Sequence, residues 1–336
     1  MDRPTKPSKR PPNQRTRLGV GDRAPEPPKL VGTVVLGRYF VEAELGSGAM
    51  GTVYRARHTT LDRSVALKVM HEHLMNEPKL MERFQREAQV ASRLSHPNVA
   101  AVLEIGETED GKQVMVLELV HGRSLNDLME GPLARDRILR FVKQLLLGLD
   151  HAHFAGLVHR DLKPDNVIVE QADDGSEVAR IVDFGIATLA QTDEALDRLT
   201  GTGMIVGTPL YMAPEQARAE PVDQRTDLYA LGIMLYEMLS GTSPFDGTAM
   251  EVAVAKMDKD PPPLSVRAPD VVIDRVLSAY LDKLIARLPA KRFSSAAEAL
   301  AMLELYQTDP EAAAAKLGII DVARAISIVW LPDPPT

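Results

Sequence analysis

Between residues 38 and 119 the chain alternates apolar and polar positions in short runs around a glycine-rich turn. Residues 38–44, Gly51–His58 and Ser64–Met70 carry the period of two that a strand buried on one face requires. Residues 98–107 and 112–119 alternate likewise, joined by the turn residues Glu109, Asp110 and Gly111. Residues 78–94 switch to a helical period, with Leu80, Phe84, Ala88, Ala91 and Leu94 on one stripe. Beyond Val120 the pattern is mainly helical. Helices are predicted over 125–129, 134–155, 223–240, 249–257, 271–284 and 295–303, with strand-like runs at 167–169 and 180–182. Gly241, Pro244 and the prolines at 261–263 punctuate them. The expected fold is α+β: an antiparallel strand-rich lobe with one helix (38–118), then a larger helical lobe (121–305). A cleft is expected at their junction, and such clefts favour ligands.

The two ends read differently. Residues 1–30 hold seven prolines, eight Lys or Arg and three Asp or Glu. Proline at that density opposes helix and sheet, so residues 1–37 are expected to be a disordered basic arm. It is either a solvated tail or a docking or membrane-surface segment. Residues 306–336 form a C-terminal extension. Ile319, Val322, Ile326 and Val329 recur at helical spacing, which predicts an amphipathic helix over 311–330 that packs on the helical lobe or on a partner.

The 336 residues contain no cysteine, which excludes disulfides, thiolate metal sites and a cysteine nucleophile. No run reaches the ~18 apolar residues of a membrane helix, and no secretory signal is apparent. A cytoplasmic setting is expected. The net charge of −8 argues against nucleic acid as a partner of the globular part.

Gly46-Ser47-Gly48-Ala49-Met50-Gly51 matches GxGxxG, which two unrelated folds use. A dinucleotide-binding fold needs a helix directly after it. Here Thr52-Val53-Tyr54 is β-branched and aromatic, which argues for a strand and hence a hairpin over phosphates. Lys68 lies in the apolar strand Val65-Ala66-Leu67-Lys68, where an ammonium needs an anion. Glu87 shares a helical face with Phe84 and Ala91, and an ion pair with Lys68 would answer both needs. The plainer alternatives are that Lys68 reaches water and that Glu87 is a surface residue. His159-Arg160-Asp161-Leu162-Lys163-Pro164-Asp165-Asn166 is more specific. It precedes Asp183-Phe184-Gly185 and then Ala213-Pro214-Glu215. Two carboxylates and an amide converging on one cleft suit magnesium.

In this order, with no departure at any catalytic motif, the set resembles the bacterial eukaryotic-like serine/threonine protein kinases over about residues 38–305. The resemblance implies a two-lobed kinase fold, ATP with magnesium (manganese as the alternative ion), and protein substrates. It implies that Gly46, Gly48 and Gly51 lie over the phosphates and that Leu45 contacts the nucleotide, with Val53 and Ala66 above the adenine and Ile168 below it. Glu118 and Val120 would meet the adenine edge from the connector, with Leu117 behind. Lys68, oriented by Glu87, would hold phosphate. Asp161 would accept the substrate proton, Lys163 would stabilise the transferring group, and Asn166 and Asp183 would bind the metal. Asp227 would anchor the catalytic-loop backbone, Glu215 would pair with Arg292, and His159 and Phe184 would pack the site. Lys163-Pro164 and Gly207-Thr208 favour serine and threonine over tyrosine, with Thr208 bonded to Asp161 and Lys163; dual specificity stays open.

Two other classes compete. A scaffold that has lost its chemistry would lack Lys68, Asp161 or Asp183, and all are present. A dinucleotide-binding oxidoreductase accounts for the glycines alone. Residues 183–215 are long enough for a switching segment. Thr200 and Thr202 in it, flanked by glycines, are expected sites of phosphorylation between molecules, with a homodimer as the encounter. Arg160, which has no carboxylate partner in its own motif, is the expected cation for that phosphate.

Overall fold

The computed structural model describes residues 30–48, 51–75, 78–130, 133–184 and 209–319. The first lobe is one antiparallel sheet of six strands: β1 (Val34–Val35), β2 (Tyr39–Ser47), β3 (Gly51–His58), β4 (Ser64–Met70), β5 (Val102–Glu107) and β6 (Gln113–Glu118). Their spatial order is β1-β2-β3-β4-β6-β5. Helices α1 (Glu72–Met75) and α2 (Pro78–Ala91) follow β4. The period of two sorts side chains between the faces of this sheet. Val65, Leu67 and Val69 of β4 enter a small apolar core with Val41, Tyr54, Val114 and Val116. Ala66 and Lys68 therefore face the other way, into the cleft. Helix α2 lays Phe84, Ala88 and Ala91 against the main core, as its stripe predicts.

The second lobe begins with β7 (Arg123–Ser124), α3 (Leu125–Leu128) and the long α4 (Arg135–Phe154). Strands β8 (Val167–Gln171) and β9 (Glu177–Ile181) form a small sheet with β7, carried on α4. Then come α5 (Pro214–Ala217), α6 (Arg225–Ser240), α7 (Ala249–Asp258), α8 (Leu264–Arg267), α9 (Arg275–Leu284), α10 (Ala296–Thr308) and α11 (Pro310–Lys316). Helix α6 is the axis of the lobe: every residue from Thr226 to Met238 is buried. A helix apolar on all sides belongs in a core. The lobes meet where the N–H of Ile181 donates to Asn98 O and that of Ala100 donates to Ile181 O, both at 2.9 Å.

Three boundaries differ from the sequence expectation. The strand-rich lobe starts before residue 38. Val34 and Val35 pair with Phe40 and Tyr39, and Val35 is buried, so the end of the expected arm belongs to the sheet. A strand of two residues is too short to show a period. Helix α9 starts at Arg275 rather than 271, because Asp274 caps it by accepting from Leu277 N at 2.8 Å. The C-terminal helix is short. Asp309 caps α11, whose Ala313 and Ala314 are fully buried, and the helix ends at Lys316. Gly318, at φ +76°, turns the chain out of helical geometry. Ile319 packs against the core. Val322, Ile326 and Val329, like the arm up to residue 29, lie outside the described residues. No described helix is long and apolar enough to cross a membrane.

Candidate active site

A cavity of about 780 Å³ opens between the lobes. Leu45, Gly46, Gly48, Gly51, Val53, Ala66 and Lys68 line it from the sheet. Leu117, Glu118 and Val120 line it from the connector, and Asp161, Lys163, Asn166, Ile168 and Asp183 line it from below. Thus every residue placed at the nucleotide and metal by resemblance borders one space, with the single exception of Glu87. Arg160, Tyr211, Met212 and Gln216 border it as well and had not been anticipated there.

The loop from residue 158 to 166 is held from behind. Asp227, fully buried in α6, accepts from the backbone N–H groups of His159 and Arg160, both at 2.8 Å, and from His153 Nε2 at 2.8 Å. Burial works to raise the Asp227 carboxyl, but these hydrogen bonds and the neighbouring imidazoles outweigh it and hold it low. The anchored amides keep Arg160 at φ 64°, a left-handed conformation uncommon for a side chain of this size. Asp183 has a similar φ of 57°. Such strain persists only where surrounding contacts enforce it. The His159 and Phe184 rings pack 4.8 Å apart, in the structural role expected of them. Below the site, Glu215 and Arg292 form a buried bidentate pair at 2.7 and 2.8 Å, also as expected.

On the open face of the loop, Lys163 Nζ lies 2.7 Å from Asp161 Oδ2. Asn166 Nδ2 donates to Asp161 O at 2.8 Å. That bond leaves the amide oxygen of Asn166 as the atom of this side chain that could ligate a cation. The donor set, one carboxylate and one amide oxygen on the same cavity, suits a hard cation that keeps several waters. Among the described residues no cluster of three His, Cys, Asp or Glu forms a self-contained metal cage. Asp183 and Asn166 would hold such an ion only together with oxygen ligands from outside the protein.

The glycines show where a phosphate chain fits. A methyl group built on Gly46 or Gly48 would meet no atom of the described residues within 4 Å, chain neighbours aside. Packing therefore does not require glycine there, whereas a ligand passing close to the backbone does. Gly51 is different: a Cβ would fall 2.3 Å from Val69 O of β4. Gly48→Ala should therefore raise KM for ATP several-fold with little change in thermal stability. Gly51→Ala should lower the melting temperature as well. Nucleotide titration beside thermal unfolding of the two variants separates the cases.

The expected Lys68–Glu87 pair is absent from this arrangement. Lys68 Nζ contacts Asp183 Oδ1 instead. Glu87 receives Arg160 Nη1 at 3.3 Å. The reason is geometric: α2 holds Glu87 over the catalytic loop, within reach of Arg160, while Lys68 meets Asp183 across the cavity. Arg160 is thus not without a carboxylate, as its motif alone suggested. Thr200, Thr202, Gly207 and Thr208 lie outside the described residues.

Sequence reasoning also missed the tether at the connector. Arg180 of β9 grips Glu118 at 2.9 and 2.6 Å, and the N–H of Ala101 donates to Glu118 Oε2 at 3.2 Å. Burial tends to raise the Glu118 carboxyl, but these bonds more than offset it and hold it below its usual range. The side chain of Glu118 is therefore spent on fixing the connector. The partners are 62 residues apart, and no local pattern joins them.

With this geometry in place, the comparisons with known proteins are specific. Residues 39–303 match the protein kinase domain model. The serine/threonine-protein kinase pkn3 of Myxococcus xanthus is 40% identical over 277 residues, covering 82% of this chain and 51% of pkn3. PknB of Mycolicibacterium smegmatis is 38% identical, covering 78% of this chain and 41% of its own length. The chain thus spans about half the length of these relatives, or less. Among solved structures, the Mycobacterium tuberculosis PknI kinase domain superimposes with a TM-score of 0.63 at 31% identity, covering 81% of this chain and 97% of that one. Rad53, solved in complex with AMP-PNP, superimposes with a TM-score of 0.63 at 27% identity, covering 79% of this chain and 64% of that one.

Proposed function

Because this chain belongs to the protein kinase family, we propose that it transfers the γ-phosphate of ATP to serine and threonine hydroxyls of other proteins. The observation that carries the reading is the convergence of Lys68, Asp161, Lys163, Asn166 and Asp183 on one cavity beneath an open glycine loop. Little covalent chemistry is asked of the protein, since phosphoryl transfer depends mainly on alignment and charge neutralisation. Asp161 accepts the proton of the attacking hydroxyl at a carboxylate oxygen. Lys163, 2.7 Å away, holds that carboxylate in place and lends positive charge beside the transferring group. Lys68 binds phosphate oxygens. Asp183 and Asn166 hold magnesium, or manganese on the same oxygen ligands, and the ion supplies charge neutralisation when bound. Both relatives described above are named serine/threonine-protein kinases, and Lys163-Pro164 supports the same acceptor here.

Binding is the first check. Quenching of protein fluorescence by ATP with magnesium, and none by NADH, is expected. Saturable NADH binding would favour the dinucleotide-binding alternative.

The ion pairs also suggest how the enzyme is switched. Phosphate on Thr200 or Thr202 adds nearly two negative charges. It would compete with Glu87 for Arg160 and so order the segment that carries it. Phosphorylation of one molecule by another, through a transient homodimer, would supply that phosphate. Mass spectrometry of protein purified from cells should find phosphate on these threonines in the wild type and none in Asp161→Asn. Thr200→Ala/Thr202→Ala should lower activity on an external protein about tenfold, the scale of one charge-assisted contact. Full activity with both threonines unmodified would contradict the switch.

A further inference from the structure

Lys256 lies in α7 within the run Val252-Ala253-Val254-Ala255-Lys256-Met257, and its side chain is fully buried. Lysine is almost never fully buried unless paired with an acid. Here, among the described residues, no carboxylate forms an ion pair with it. Its Nζ donates instead to two backbone carbonyls, those of Leu210 and Met212, the second at 2.9 Å. The ring of Tyr229 lies beside it, 5.2 Å from Nζ to the centroid. Burial drives the pKa of this amine well below that of a free lysine. Charged or neutral, the amine carries the N–H donors that two carbonyls need.

The stretch it grips is irregular backbone whose polar groups have no helix or strand to satisfy them. That stretch is part of the cavity wall: Tyr211 and Met212 face the same space as Asp161. The sheet, the glycine loop and the connector enclose the nucleotide side. An acceptor hydroxyl has to reach Asp161 from the side that residues 210–212 bound. This wall is also fastened by the contact of Tyr211 with Glu237 and by the bond from Ala213 N to Gln216 Oε1 at 2.9 Å. Among the described residues, Lys256 alone donates from a side chain to the carbonyls on both sides of Tyr211.

We propose that Lys256 is a positioning residue for protein substrates: it clamps the backbone on either side of Tyr211 and so fixes the wall along which the acceptor segment lies, without contact with ATP. The inference rests on the kinase reading above. It also connects the exposed face of α7 to the acceptor side of the site, since Lys256 sits on the buried face of that helix.

The test uses the full chain as wild type, Lys256→Met and Lys256→Gln, with casein as the protein substrate. Methionine fills the same apolar channel without donors. The expected result for Lys256→Met is a rise of about tenfold in KM for casein, the scale of one lost hydrogen bond. The kcat and the KM for ATP should stay within about twofold. Glutamine keeps an N–H donor and should recover part of the loss. Independently of turnover, amide hydrogen exchange at residues 210–213 should quicken in Lys256→Met while that of residues 46–48 stays unchanged. An unaltered casein KM, an ATP KM that rises in step with it, or unaltered exchange at 210–213 would overturn the proposal. A wild type that binds ATP but labels no casein would instead contradict the kinase reading, and the exchange measurement alone would then decide the role of Lys256.

Discussion

Replacing Asp161 with asparagine should lower kcat by about 10² to 10⁴-fold, the usual contribution of a positioned general base. Affinity for ATP should stay within a few fold. Asp161 borders the acceptor side of the cavity, held by Lys163 at 2.7 Å and by Asn166, whose Nδ2 lies 3.3 Å from Asp161 Oδ2. Asparagine is close in size and preserves the backbone bond from Asn166 Nδ2 to the residue-161 carbonyl, so the loop should keep its shape. What it removes is the group that takes the proton. Steady-state kinetics beside nucleotide titration separates the two effects. If the variant keeps more than about a tenth of wild-type kcat, Asp161 is not the base.

Asp183→Asn should have a comparable effect by another route. Its carboxylate is the proposed metal ligand, and in this arrangement it is also the partner of Lys68. Asparagine is a weaker ligand for a hard cation and cannot neutralise the ammonium. Activity should fall by about 10³-fold at low millimolar magnesium, in the range reported for lost transition-state charge stabilisation. Affinity for ATP measured with magnesium should fall with it, in contrast to Asp161→Asn. Raising the magnesium concentration should recover part of the activity. A variant that loses turnover but binds magnesium-ATP as tightly as the wild type would remove Asp183 from the metal site.

The parts of this site that were legible in the sequence are those whose placement is local. A strand's period of two sends Lys68 towards the cleft once Val65, Leu67 and Val69 are assigned to a core. Asp161, Lys163 and Asn166 sit within one short loop, so their convergence needs no tertiary knowledge. The anchoring of that loop by Asp227 and the pairing of Glu215 with Arg292 followed from resemblance and are present in the structure. The partner of Glu87 was not legible. It depends on where α2 sits over the catalytic loop, and a helix displaced by a few ångströms exchanges one cation for another. Nor was the bond between Glu118 and Arg180, which joins two lobes. Lys256 could have been found. A lysine in an apolar run was the reason for singling out Lys68, and the run Val252-Ala253-Val254-Ala255 poses the same problem.

The fold divides in the same way. Long amphipathic stripes gave α2 and α4. Short or capped features shifted the boundaries instead: two residues of β1 at Val34 and Val35, the cap at Asp274, and the left-handed turn at Gly318.

The most direct test of the central claim is transfer itself. Purified full chain is incubated with magnesium, ATP labelled in the γ-phosphate and casein, and the labelled casein is hydrolysed to its phosphoamino acids. The account predicts label on phosphoserine and phosphothreonine with the wild type and almost none with Asp161→Asn under identical loading. A wild type that binds ATP yet leaves casein and itself unlabelled, or an Asp161→Asn variant that labels casein as well as the wild type, would contradict it.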